Sequence, residues 1–195
     1  MAFFLLMLQG IRSSMRFFAK VSTAFLGIVL LALLLCFIRY DVREFQSRRP
    51  VIDALLAQAS ADERALSPEF IRLLHISMNG NGDAVLARTL LHQLRVPTPG
   101  GLGWNASLIA WGWLCQLHLS ERDRMALLVS NGTMSEGHDG FSAEAQARFR
   151  KPLSQLSSAE FATLAALANS PSAYRSNPDM LIRRRDQLLS QAAIQ

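Results

Sequence analysis

Val21 to Ile38 reads VSTAFLGIVLLALLLCFI, an uncharged run of about the length needed to cross a bilayer. A cleaved signal peptide is the competing reading. The run is long for a signal-peptide core, however, and Arg39-Tyr40-Asp41 is a poor small-residue cleavage site, so an uncleaved anchor is favoured. Basic residues flank it on both sides (Arg12, Arg16 and Lys20 before; Arg39, Arg43, Arg48 and Arg49 after), so charge asymmetry does not set its direction. Met1 to Gln9 is apolar but too short to span, which leaves an interfacial segment or an upstream start codon open. A chain of 195 residues then allows one domain with a real core behind the anchor.

The net charge of +5 is concentrated in that anchor region. Residues 1–40 hold Arg12, Arg16, Lys20 and Arg39 with no acid, and the remainder carries 16 basic against 15 acidic side chains. A nearly neutral domain with a basic membrane flank does not point to nucleic acid. Cys36 lies in the apolar run and Cys115 in the domain, so a disulfide between them is not expected, and no zinc-type spacing occurs.

Past a charged connector, helical signals dominate. Val51 to Ala61 predicts an amphipathic helix with Ile52, Leu55 and Leu56 inward, and Ser67-Pro68 opens another with Ser as cap and Pro at the first position. Asn79-Gly80-Asn81-Gly82 is a breaker, Asp83 restarts a helix to about Val96, and Pro97 to Gly103 reads as a loop. Ala106 to Leu119 reads as a core helix, Ser120 with Asp123 caps the next, and Asn131 to Gly140 reads as a loop before a helix near 143–149. Leu156 to Tyr174 is the most legible stretch. Ser157 and Glu160 form a capping box, Phe161, Leu164, Ala165 and Ala168 make one apolar face, and Asn169-Ser170-Pro171 stops the helix. A last helix from Met180 to Ala192 carries Arg183 to Arg185. No strand-period run stands out, and the chain reads as nearly all α.

The order Leu-Ser-x-x-Glu-x-Ala-x-Leu-Ala, then Pro171, Tyr174 and an Arg-rich helix, resembles the closing segment of the peptidoglycan glycosyltransferase domain. This is the family-fifty-one transglycosylase of penicillin-binding proteins. Phe149 and Lys151 stand where that family has a Phe-x-Lys pair. The resemblance implies an all-α, lysozyme-like fold behind one transmembrane helix, a cytoplasmic N-terminus and an external domain. It divides the chain into a short segment over 1–20, an anchor over 21–39, a connector over 40–66 and a glycosyltransferase-like domain over 67–195.

Matched residue by residue, the shape signals persist while the chemistry does not. Ser67 and Pro68 are kept, but the family's catalytic Glu-Asp falls on about Met78-Asn79, neither of which takes a proton at neutral pH. The motif Gly-Gly-Ser-Thr-Ile-Thr-Gln-Gln corresponds to Gly82 to Thr89, keeping Gly82 and losing the hydroxyls and amides that line the sugar cleft. The cationic Arg-Lys-x-x-Glu segment, which holds the lipid pyrophosphate, lands on Trp104 to Leu108. A later Glu maps to Gln116 and the second cleft Glu to Ala126, whereas Gly137 and Gly140 persist as backbone requirements. No Glu-Asp pair occurs anywhere from Ile71 to Leu119.

Glu136, His138 and Asp139 cluster in one loop and are the weak candidates for a displaced acid/base or metal site, although a solvated turn is the simpler reading. His75, His92 and His118 are isolated, Glu160 is taken as a cap, and Arg183 to Arg185 as a solvated face or a headgroup contact. The glycosylation patterns at Asn105 and Asn131 are weak signals. Trp104, Trp111 and Trp113 with Leu102, Leu108 and Ile109 are expected mainly in the core, with a seat for a lipid tail or partner helix as the alternative. The expected protein is a non-catalytic, single-pass protein of the bacterial inner membrane with its domain on the periplasmic face. It uses no cofactor or metal and binds an envelope or divisome protein or a Lipid II-like lipid. The alternatives are an active transglycosylase polymerising Lipid II with relocated acid/base residues, and a structural subunit of a membrane complex.

Overall fold

The computed structural model describes residues 25–98, 100–135, 138–169 and 171–194. The chain divides into two units, Met1–Ser47 and Arg48–Gln195. In the first, residues 25–40 form helix α1, whose apolar side chains from Phe25 to Ile38 are exposed except for the half-buried Phe37. By length and composition the helix that begins at Phe25 is long and apolar enough to cross a membrane. The segment 1–20 and the start of the expected anchor lie outside the described residues. After α1 the turn widens to a π-helical stretch, Asp41–Phe45, and the Ser47 hydroxyl donates to the Arg43 carbonyl at 2.6 Å.

The second unit contains helices α2 (Arg49–Gln58), α3 (Ala61–Arg64), α4 (Pro68–Ser77), α5 (Gly82–Gln93), α6 (Leu102–His118) and α7 (Glu121–Asn131). A hairpin of β1 (Thr133–Ser135) and β2 (His138–Asp139) follows. Then come α8 (Phe141–Phe149), α9 (Ser158–Asn169), α10 (Pro171–Ser176) and α11 (Pro178–Ile194). The described residues are thus all-α apart from the hairpin, which pairs Thr133 with Asp139 and Ser135 with His138 inside a stretch expected to be loop. Two strands this short leave no alternating pattern to read. Much of the connector expected over 40–66 is helical, and α2 and α3 both pack on α7.

Helices α3, α4, α7 and α9 start where a side chain satisfies a free amide, whereas α2, α5, α6 and α8 have no side-chain cap. Ser67 accepts from the Phe70 amide at 3.3 Å with Pro68 behind it, and Ser120 accepts from the Asp123 amide at 3.1 Å. Ser60 with Glu63 closes a capping box on α3, and Ser157 with Glu160 closes one on α9. Breakers act as expected: Asn79 (φ 50°) and Gly80 (φ 74°) turn the chain left-handed between α4 and α5.

Helix α9 is the hub, packed against α4, α8, α10, α11 and β1. Phe161, Ala162, Leu164, Ala165, Ala166 and Leu167 are all buried, so it is enclosed nearly all round rather than on the single expected face, and Ala168 is only half-buried. Alanines at 162, 165 and 166 let neighbouring helices approach, and the Phe161 ring stacks on Phe70 of α4 with centroids 3.7 Å apart. Ser77 ties three helices: its hydroxyl donates to the Ala165 carbonyl at 2.6 Å, and its carbonyl accepts from Arg184 at 3.2 Å. Arg184 is therefore a half-buried packing residue, where a solvated arginine cluster was expected.

Candidate functional site

Helices α5 and α6 pack along each other, and the turn before α5 closes one end of a groove of about 470 Å³ between them. Its walls come from Gly80, Asn81, Asp83 and Ala84 on one side and Asn105, Leu108, Ile109, Gly112, Trp113 and Gln116 on the other. Asp83 and Ala84 from the segment mapped onto the sugar motif and Asn105 and Leu108 from the one mapped onto the pyrophosphate motif therefore share one concavity, and of these only Asp83 is charged. Gly112 has no side chain, and a Cβ there would first meet the Asp83 carbonyl at 4.0 Å.

Asp83 is the one acidic residue in the described lining. Its Oδ1 lies 2.9 Å from Nε of Arg124, and its Oδ2 accepts from Nε2 of Gln116 at 2.7 Å. Arg124 also donates from Nη1 to the Leu119 carbonyl at 3.0 Å. Both side chains of the ion pair are mostly covered, at 27% and 18% exposure for Asp83 and Arg124. Beside them Cys115 is fully buried. Burial first, and then the Asp83 charge, push its thiol up to about 12, against the opposing pull of Arg124. The groove thus has a neutralised polar end and an apolar wall.

The positions expected to have lost their chemistry do not share one site. Gln116 lies in the groove and orients Asp83. Met78 is buried at the end of α4, and Asn79 lines a separate hollow with the last residues of α11. Ala126 is buried and faces a third concavity near Asp53, Arg64 and Arg122. Of the displaced-acid candidates, Glu136 lies outside the described residues together with Gly137, and Asp139 is placed in β2 by its backbone. Among the described residues no His, Cys, Asp and Glu cluster could hold a metal.

Lys151 donates to Oε1 of Glu160 at 2.7 Å, while Oε2 of Glu160 accepts from the Ser157 amide at 2.8 Å. The Lys151 hydrogen bond first and the Ser157 amide next pull the Glu160 carboxyl down to about 2. Phe149 ends α8, Pro171 begins α10, and Tyr174 is buried. Asn131 is buried and donates to the Leu127 carbonyl at 3.1 Å, which makes it a poor acceptor for a glycan. His75 is half-exposed with its Nε2 3.6 Å from Glu121.

Sequence reasoning missed Asp83 and Arg124 as a pair. One signal was available, because Asp83 is the single carboxylate between Ile71 and Leu119 and stands where the resemblance puts a glycine. It also mistook α6 for a core helix. Trp111, Leu114 and Cys115 are buried, but Leu102, Ile109, Trp113 and Leu117 are 57–88% exposed.

The family model for transglycosylases matches residues 116–193, from the last turn of α6 to the end of α11. The match covers 78 of the 195 residues and supports a transglycosylase domain there; the described residues are all-α apart from the hairpin, as the resemblance implies, with one N-terminal helix apolar enough to span a membrane. Neither a curated protein nor a solved structure gives a match.

Proposed function

We propose that this chain is a non-catalytic, transglycosylase-like binding protein, held by a single N-terminal span in the bacterial inner membrane with its domain on the external face. The observation that carries this reading is the state of Asp83. Both of its oxygens are occupied, by Arg124 and by Gln116, so the groove's described lining offers no free base to deprotonate a sugar hydroxyl. Arg124 is neutralised in the same pair, which leaves no cation in the described lining to hold a departing diphosphate. An apolar wall with a neutral floor favours an uncharged surface of an envelope-assembly or divisome protein over a diphosphate-bearing lipid.

The test uses full-length protein in detergent with labelled Lipid II, following polymerisation and binding in the same samples and including Glu136→Gln. The expected result is no polymer above background. Polymer formation would overturn the reading, and its loss in Glu136→Gln would locate the displaced acid. Saturable binding without polymer would retain the non-catalytic reading and move the ligand from protein to lipid.

A further inference from the structure

Three Asn-Gly pairs occur in the sequence: Asn79-Gly80, Asn81-Gly82 and Asn131-Gly132. Such a pair carries a built-in reaction, because the glycine amide nitrogen attacks the asparagine side-chain carbonyl and no Cβ on the glycine hinders the approach. The three pairs are alike in composition, so the fold decides which of them reacts. Asn131 is the best protected. It is buried, its Nδ2 donates to the Leu127 carbonyl at 3.1 Å and to the Ser130 hydroxyl at 2.7 Å, and the Gly132 amide donates to the Leu128 carbonyl at 3.0 Å. Asn79 is exposed, but its attacking amide is engaged, because Gly80 donates to the His75 carbonyl at 3.0 Å. Asn81 lacks both restraints. It is exposed, its side chain makes no hydrogen bond among the described residues, and the Gly82 amide, at the first position of α5, has no backbone partner there. Gly82 itself is buried, so the reaction waits for the first turn of α5 to fray, and no side-chain cap holds that turn.

We infer that Asn81 is a site of spontaneous deamidation, which gives the α5–α6 groove a free carboxylate that the newly made chain lacks. The Gly82 nitrogen bonds to Cγ of Asn81 and gives up its proton. The bond from Cγ to Nδ2 breaks, and Nδ2 leaves with that proton as ammonia. Water then opens the succinimide ring at one of its two carbonyls, which leaves aspartate or isoaspartate at position 81. Asn81 and Asp83 both line the groove. Asp83 is already matched by Arg124 and Gln116, whereas the described lining holds no cation to neutralise a second carboxylate. The product is tolerated, because position 81 is the N-cap of a 12-residue helix, where free amides and the helix dipole favour a negative charge. The neutral end of the groove thus becomes acidic as the protein ages, without a change in any other residue.

The experiment incubates the full-length chain in detergent at mildly alkaline pH, with and without guanidinium chloride, and follows its tryptic peptides by tandem mass spectrometry. The readout at each asparagine is the mass increment of exchanging an amino group for a hydroxyl. In the folded protein, Asn81 is expected to react at least about tenfold faster than Asn131 and several-fold faster than Asn79, the order set by how much structure must open at each pair. In denaturant the three rates should converge, since the pairs then differ only in their neighbours. Gly82→Ala should slow the reaction at position 81 about tenfold in either condition and leave Asn79 unaffected, because the new methyl group crowds the attacking nitrogen. Asn81→Asp carries the product side chain. It should fold as wild type does by circular dichroism and elute with the aged fraction on ion exchange.

Asn79 or Asn131 keeping pace with Asn81 in the folded protein would overturn the inference. So would a folded chain in which Asn81 stays intact while the denatured chain reacts, because the first turn of α5 would then be closed to the chemistry. Unfolding of Asn81→Asp would show that the groove does not accept the product.

Discussion

Asp83 and Arg124 face each other at 2.9 Å across the junction of α5 and α7, and Gln116 of α6 holds the second Asp83 oxygen. The pair pins three helices at the end of the groove. Removing the carboxylate leaves a guanidinium that is only 18% exposed without its counter-charge. Asp83→Asn is expected to cost about 1–3 kcal/mol, less than a fully buried pair because both side chains keep some water. A double-mutant cycle with Arg124→Gln, read by urea unfolding, should show a clear positive coupling. Strictly additive losses would mean that the pair contributes nothing.

The Lys151–Glu160 contact predicts acid sensitivity in a defined window. The Glu160 carboxyl is held at about 2 when folded, below its ordinary 4.5, so the stability it contributes is complete above 4.5 and disappears as the pH falls through 2. Lys151→Met removes the largest cause of that depression. Urea midpoints should therefore separate wild type from Lys151→Met at neutral pH, and the two should converge as the pH nears about 2. A gap that persists at the acid end would assign the loss to packing.

Helix starts and stops were legible in the sequence because they depend on a few neighbouring residues. Ser67-Pro68, Ser120 with Asp123, and Ser157 with Glu160 all cap helices, and Asn79-Gly80 turns the chain. What escaped was set by distant partners. Asp83 reads as a helix-starting acid until α6 and α7 bring Gln116 and Arg124 against it, from 33 and 41 positions away along the chain. The exposed face of α6 escaped for a different reason. An apolar 17-residue helix with Trp111 buried and Trp113 exposed has the same composition as one that is wholly enclosed. In α9 the error ran the other way, because small alanines hide how much of the helix surface is packed. Composition reports how apolar a helix is, and the neighbouring helices decide which of its faces is covered.

Cys115 should be chemically silent although Cys36 is exposed. Its thiol is pushed up to about 12, so the nucleophilic thiolate is scarce at neutral pH, and burial blocks access to the little that forms. In the Cys36→Ser background, a thiol reagent at about pH 8 should label folded protein at least 100-fold more slowly than protein in denaturant. Rapid labelling of the folded state would show that α6 opens on the timescale of the assay. Asp83→Asn removes a charge that raises this thiol, so it should also shift the onset of labelling to lower pH.

Gly140 and Gly82 provide the sharpest contrast between a glycine that the backbone requires and one that it does not. Gly140 sits at φ 85°, ψ 157°, a region closed to other residues, and a Cβ there would lie 2.5 Å from the Ser130 carbonyl oxygen. Its amide also donates to the Gly132 carbonyl at 2.9 Å, joining the two ends of the hairpin. Gly140→Ala is therefore expected to cost about 3 kcal/mol or more, from strain and clash together. Gly82 begins α5 with an ordinary helical backbone, and a Cβ there would meet only the Met78 sulfur at 3.8 Å and the Met125 methyl at 4.0 Å. Gly82→Ala should leave stability within about 1 kcal/mol of wild type, since the helix gains what the missing methyl had cost it. Chemical unfolding of the two variants side by side checks both values. A severe loss at Gly82 would mean that the turn before α5 and the groove it closes are packed more tightly than these distances allow.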